Sequence, residues 1–191
     1  MLADLLKKTF NLSIWVHTAL ATLSILWFQW INVKITASYA ASKHPVDYFT
    51  GQTSFNAQTI KGYYAAMTDT QTLDVYVRTQ IIDTGLILGF ACLGLFVCTL
   101  IARLSRVGSF GSKAGLFSGV SYILGAVCDA IENGFSFIML SDPADFANWL
   151  AAPYSLFASV KFAFITLAMA LALISLILGI VGRIMKKPNI G

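Results

Sequence analysis

The stretch Gly125-Ala-Val-Cys-Asp-Ala-Ile-Glu-Asn-Gly134 constrains this chain more than any other. It lies inside an apolar run from about Gly115 to Leu140, long enough to cross a bilayer as a helix. Yet it carries Asp129, Glu132 and Asn133. Spacings of three and four residues put these on one helical face with Tyr122, Gly125 and Ser136. A charge at mid-membrane costs at least about 2.5–3.5 kcal/mol, so such a stripe must face protein or water. The other helices of the chain have to answer two carboxyls.

Composition places the rest of the chain in the same class. It is 57% hydrophobic and 12% charged, whereas a soluble domain is nearer about 45–50% apolar and about 25% charged. With a mean hydropathy of +0.73, the chain reads as an all-α integral membrane protein whose first partner is the lipid bilayer. Its formal net charge is +4, but the bases belong at membrane edges, and nucleic acid is not an implied partner. Cys92, Cys98 and Cys128 all sit in apolar runs with no C-x-x-C pair, which argues against a redox relay and against a disulfide-stapled ectodomain. The first apolar run, about Leu12 to Ile31, is too long for the ~7–15-residue core of a signal peptide and is read as a retained anchor.

Taken in order, the pattern predicts a four-helix bundle forming one transmembrane domain over 1–191, with spans at about 12–31, 79–100, 115–140 and 154–182. Residues 2–10 form a short amphipathic lead-in. Trp15 at one end of the first span and Trp27 and Trp30 at the other suit the two membrane interfaces. The long polar stretch 33–72 is a partly helical outer loop. Within it, Ser54 to Met67 carries Ile60, Tyr63, Tyr64 and Met67 at helical spacing. Between spans three and four, Asp142 before Pro143 predicts a capped interfacial helix over 141–150, with Phe146, Trp149 and Leu150 on one face. Lys7, Lys8, Arg103, Arg106, Lys113, Arg183, Lys186 and Lys187 cluster at both ends and in the loop after span two. The positive-inside rule therefore puts both termini in the cytoplasm, and the expected location is a bacterial inner membrane.

Helix rise places the polar residues in register. Glu132 and Asp129 lie about 12 and 16 Å below the outer end of span three, and Lys161 about 10 Å down span four. Asp83 on span two is shallower, on a face shared with Tyr76 and Gln80, with Arg78 at the mouth. Asp83, Asp129, Glu132, Asn133 and Lys161 are thus the candidate ligand, ion or proton site, supported by Tyr76, Arg78, Gln80 and Tyr122. With three acids against one lysine, at least one carboxyl is expected to be protonated or wet. Two readings stand side by side: a clamp that fixes which helix meets which, and a site awaiting a cation, proton or polar ligand. No H-x-x-E or E-x-x-H pattern supports a metal, and His17, the one histidine in a span, cannot hold a haem with two protein ligands. No metal and no cofactor are expected.

The motif Asp129-x-x-Glu132-Asn133 on the third span, followed by Lys161 early in the fourth, resembles that of a group of uncharacterised four-span membrane proteins. The run Tyr76-Val-Arg78-Thr-Gln80-Ile-Ile-Asp83 is similar to theirs as well. The likeness covers about half of the chain. It implies that these residues act as a unit, and it implies no reaction. Three function classes follow in order. The first is a small membrane subunit or accessory protein, with a membrane-protein partner or a second copy of itself. The second is an ion- or proton-coupled carrier or binding protein for a small polar or lipid ligand. The third is a lipid-modifying enzyme with Glu132 or Asp129 as general acid/base.

Overall fold

The computed structural model describes residues 2–185, so Lys186 and Lys187 lie outside the described residues. Among the described residues the chain is all-helical, with no strand. Its elements are α1 (Leu2–Phe10), α2 (Ile14–Ala41), α3 (Tyr48–Gln52), α4 (Ala57–Asp69), α5 (Leu73–Cys92), a π-helical stretch (Leu93–Cys98), α6 (Thr99–Ala102), α7 (Phe110–Ser141), a 3-10 turn (Asn148–Leu150) and α8 (Ala151–Ile184). Four continuous segments are long and apolar enough to cross a membrane: Ile14–Ala41, Leu73–Ala102, Phe110–Ser141 and Asn148–Ile184.

Every long helix outruns its apolar stretch. The 28 residues of α2 rise about 42 Å at ~1.5 Å each, more than a hydrocarbon core of about 30 Å. The polar segment therefore starts at residue 42 rather than 33. The reason is a stripe that continues past the apolar run. Ile31 and Ile35 are buried, and Ser38 Oγ lies 2.7 Å from Thr79 Oγ1 on α5.

The interfacial helix expected over 141–150 does not form. Asp142 accepts a hydrogen bond from the Asp145 backbone at 3.2 Å, but Ala147 is extended and only a 3-10 turn precedes α8. Phe146 and Leu150 are drawn into the core, and Trp149 is left 67% exposed. Core burial here overrides the local capping signal.

The chain divides into two compact units. The first comprises Met1–Trp27, Gly89–Leu124 and Phe164–Gly191, and the second Phe28–Leu88 and Gly125–Ala163. In the first unit Gly94 and Gly119 bring the π-helical stretch and α7 into backbone contact. A Cβ on Gly94 would stand 2.7 Å from the Gly119 carbonyl oxygen. His17 is fully buried there. Arg103 donates to its Nδ1 at 2.9 Å, so Nε2 carries the hydrogen and donates to the Phe96 carbonyl at 2.9 Å. His17 is thus a packed, fully bonded side chain.

The second unit holds an aromatic core. The amphipathic stripe of α4 supplies Ile60, Tyr64 and Met67, which pack with Tyr76, Met139, Phe146, Leu150 and Tyr154. Tyr63, expected on the same stripe, is half-buried and meets the His44 ring at 5.0 Å.

Candidate functional site

The polar centre of the second unit is built around the five residues of α3. Asp47 caps it, accepting from the Thr50 backbone at 3.0 Å and the Thr50 hydroxyl at 2.6 Å. Those bonds hold the Asp47 carboxyl below the usual carboxylate range. Gly51 lets the helix pack closely, because a Cβ there would meet His44 Cε1 at 2.8 Å. With the helix so held, Tyr48 and Gln52, one turn apart, present the same face. Phe49 packs on Phe162 of α8 with ring centroids 4.9 Å apart.

Gln52 and Lys161 close a knot. The Lys161 ammonium donates to Asp129 Oδ1 at 2.7 Å, Glu132 Oε2 at 2.8 Å and Gln52 Oε1 at 2.9 Å. Gln52 Nε2 donates in turn to Glu132 Oε2 at 3.2 Å. The four side chains are at most 2% exposed. The ammonium also lies over two aromatic faces, 5.0 Å from the Phe162 centroid and 5.6 Å from that of Tyr48. All three ammonium hydrogens have acceptors, which is what a buried cation requires if desolvation is not to dominate. An amine so engaged is no free nucleophile for a Schiff base.

A second arm carries the third acid. Asp83 accepts from Asn133 Nδ2 at 2.7 Å on one oxygen and from the Tyr48 hydroxyl at 3.0 Å on the other. Burial, and then the Asp83 carboxylate, hold that hydroxyl well above the usual tyrosine range, so it stays protonated and donates to Asp83. Around this arm the bonding is incomplete. Both amide atoms of Gln80, Oδ1 of Asn133 and Oγ of Ser136 are buried without a hydrogen-bond partner. Each such group costs about 1–3 kcal/mol.

The structure therefore brings Asp83, Asp129, Glu132, Asn133 and Lys161 together in one unit, and it buries Gln80 beside Asp83 on the same helix face. Tyr76 sits in the aromatic core rather than on the knot. Arg78 is 75% exposed and pairs at 3.8 Å with Asp74, away from the buried acids. Tyr122 belongs to the first unit, where it stacks on Phe90. Helical spacing alone put Tyr122 on the stripe, but it lies two turns from Asp129. Tyr48 and Gln52 were missed, although the Asp47-x-x-Thr50 cap was a legible helix start.

No group of three or more His, Cys, Asp or Glu side chains among the described residues is placed to hold a metal ion. The fold and site define an all-helical chain with four membrane-length helices and a buried Lys–carboxylate knot. No protein-family model, curated protein or solved structure matches it.

Proposed function

We propose that this chain is a small four-span integral membrane protein with cytoplasmic termini that serves as a structural or accessory subunit, its lysine knot acting as a clamp. The observation that carries this reading is the closure of the knot: Lys161, Asp129, Glu132 and Gln52 satisfy one another at 2.7–3.2 Å. All three hydrogens of the Lys161 ammonium are taken up within the knot, which supports a clamp. Charge placement supports the orientation. Among the described residues Asp4 is the one acid within the first unit, against Lys7, Lys8, Arg103, Arg106, Lys113 and Arg183. The second unit carries the remaining acids with Lys34, Lys43, Lys61, Arg78 and Lys161. That asymmetry suits a cytoplasmic side for the ends and loop that carry those bases, in a bacterial inner membrane.

Two experiments test the reading. In sealed vesicles, Ser109→Cys should be modified from the cytoplasmic side and Asn148→Cys from the other. Modification of Ser109→Cys from outside only overturns the topology. After mild detergent extraction of native membranes, an accessory subunit should migrate in a complex larger than the 20.7 kDa chain. Migration solely as a monomer removes the accessory role. The second reading, a binding protein or carrier for a small polar species, is favoured by the incomplete bonding around Asp83.

A further inference from the structure

The unpartnered polar atoms around Asp83 are not scattered. Tyr76 and Met139 share one core cluster, and Asp83 bonds Asn133, so α5 and α7 run antiparallel. Three residues back from Asp83 and three on from Asn133 come Gln80 and Ser136, at one level of the helix pair. Both are fully buried, and Asn133 is 4% exposed. The Tyr64 hydroxyl, from α4, lies beside Ser136, and the two hydroxyls have no other hydrogen-bond partner. Buried polar groups almost always find a partner, and a group of orphans in one place calls for an ion or water.

The donor set selects the ion. Gln80 Oε1, Asn133 Oδ1, Ser136 Oγ and the Asp83 carboxylate are hard oxygen ligands, with no thiol or imidazole among them. Ca²⁺ takes six to eight oxygens, usually with several carboxylates. Here only Asp83 is available, because Asp129 and Glu132 are both engaged by Lys161. The charge count leaves room for a cation as well, since three carboxyls share a single ammonium. We infer that Asp83, Gln80, Asn133 and Ser136 form a binding site for a small monovalent cation of the Na⁺ class, distinct from the lysine knot.

The test uses the full chain in detergent at fixed pH and ionic strength, with NaCl exchanged stepwise for N-methyl-D-glucamine chloride. The wild type should show a saturable rise in Tm of a few degrees with Na⁺, as expected for a ligand that binds only the folded state. Asp83→Asn should abolish the rise, and Ser136→Ala, which removes one ligand without altering charge, should shift its midpoint to higher Na⁺. A Tm that does not distinguish Na⁺ from the organic cation would show that the orphaned groups meet water only, and the inference fails. A specific rise left intact in Ser136→Ala would place the ion elsewhere and also overturn it. That second variant keeps the test decisive if Asp83→Asn does not fold.

Discussion

Replacing Gln52 with alanine tests whether α3 is a functional part of the knot. Gln52 is 2% exposed. Its Oε1 takes one Lys161 hydrogen at 2.9 Å, and its Nε2 supports Glu132 at 3.2 Å. The truncation leaves one ammonium hydrogen and one carboxylate lone pair unpaired. Hydrogen bonds to charged groups contribute about 1.5–3 kcal/mol each. Partial entry of water lowers the combined loss, which we put at about 2–4 kcal/mol. Equilibrium unfolding in mixed micelles would measure it, within a double-mutant cycle against Lys161→Met. If Gln52 acts through Lys161, the double variant should be less destabilised than the sum of the singles by about 0.5–3 kcal/mol. Additivity within about 0.5 kcal/mol would refute the reasoning, because sites that do not interact add to that precision.

Other substitutions probe the supports. Gly51→Ala should destabilise by about 1–3 kcal/mol, since its Cβ meets a His44 ring held in an aromatic cluster; thermal melts would show it. Gly62→Ala, at an exposed position of α4 with nothing within 4 Å, should instead stabilise by about 0.5–1 kcal/mol in the same assay. Burial among the rings of Tyr39, Tyr63 and Tyr76 holds His44 below its ordinary value of 6.5, against smaller opposing effects of the Val46 carbonyl and Asp47. The unfolded chain then takes up the proton more readily. The contribution of His44 is therefore fully present above about pH 6.5 and is lost as pH falls through its folded value. Melts of wild type and His44→Gln between about pH 7.5 and about pH 5, a window that brackets the ordinary histidine value, should converge as the solution is acidified; parallel curves would contradict this.

The acid-bearing face of α7 and its lysine partner were legible because an otherwise apolar, membrane-length helix makes polar spacing informative. Asp129, Glu132 and Lys161 stand out against apolar neighbours, and helix rise alone aligned them. Gln52 and Tyr48 were hidden for the opposite reason. They sit in a stretch where polar residues are ordinary, and a five-residue helix has too few turns to show a period. The end of α2 was obscured because Asn32, Lys34 and Thr36 face outward and mask the Ile31, Ile35, Ser38 stripe. The failed helix after Ser141 shows a local cap losing to the burial of Phe146.

The clamp reading is tested most directly by the unfolding of Lys161→Met in detergent, beside a variant in which Lys161, Asp129, Glu132 and Gln52 are all made apolar. Removing the lysine alone strands two buried carboxylates and should lower stability by about 3–5 kcal/mol. The all-apolar variant should recover much of that loss. A Lys161→Met protein no less stable than wild type would contradict the clamp.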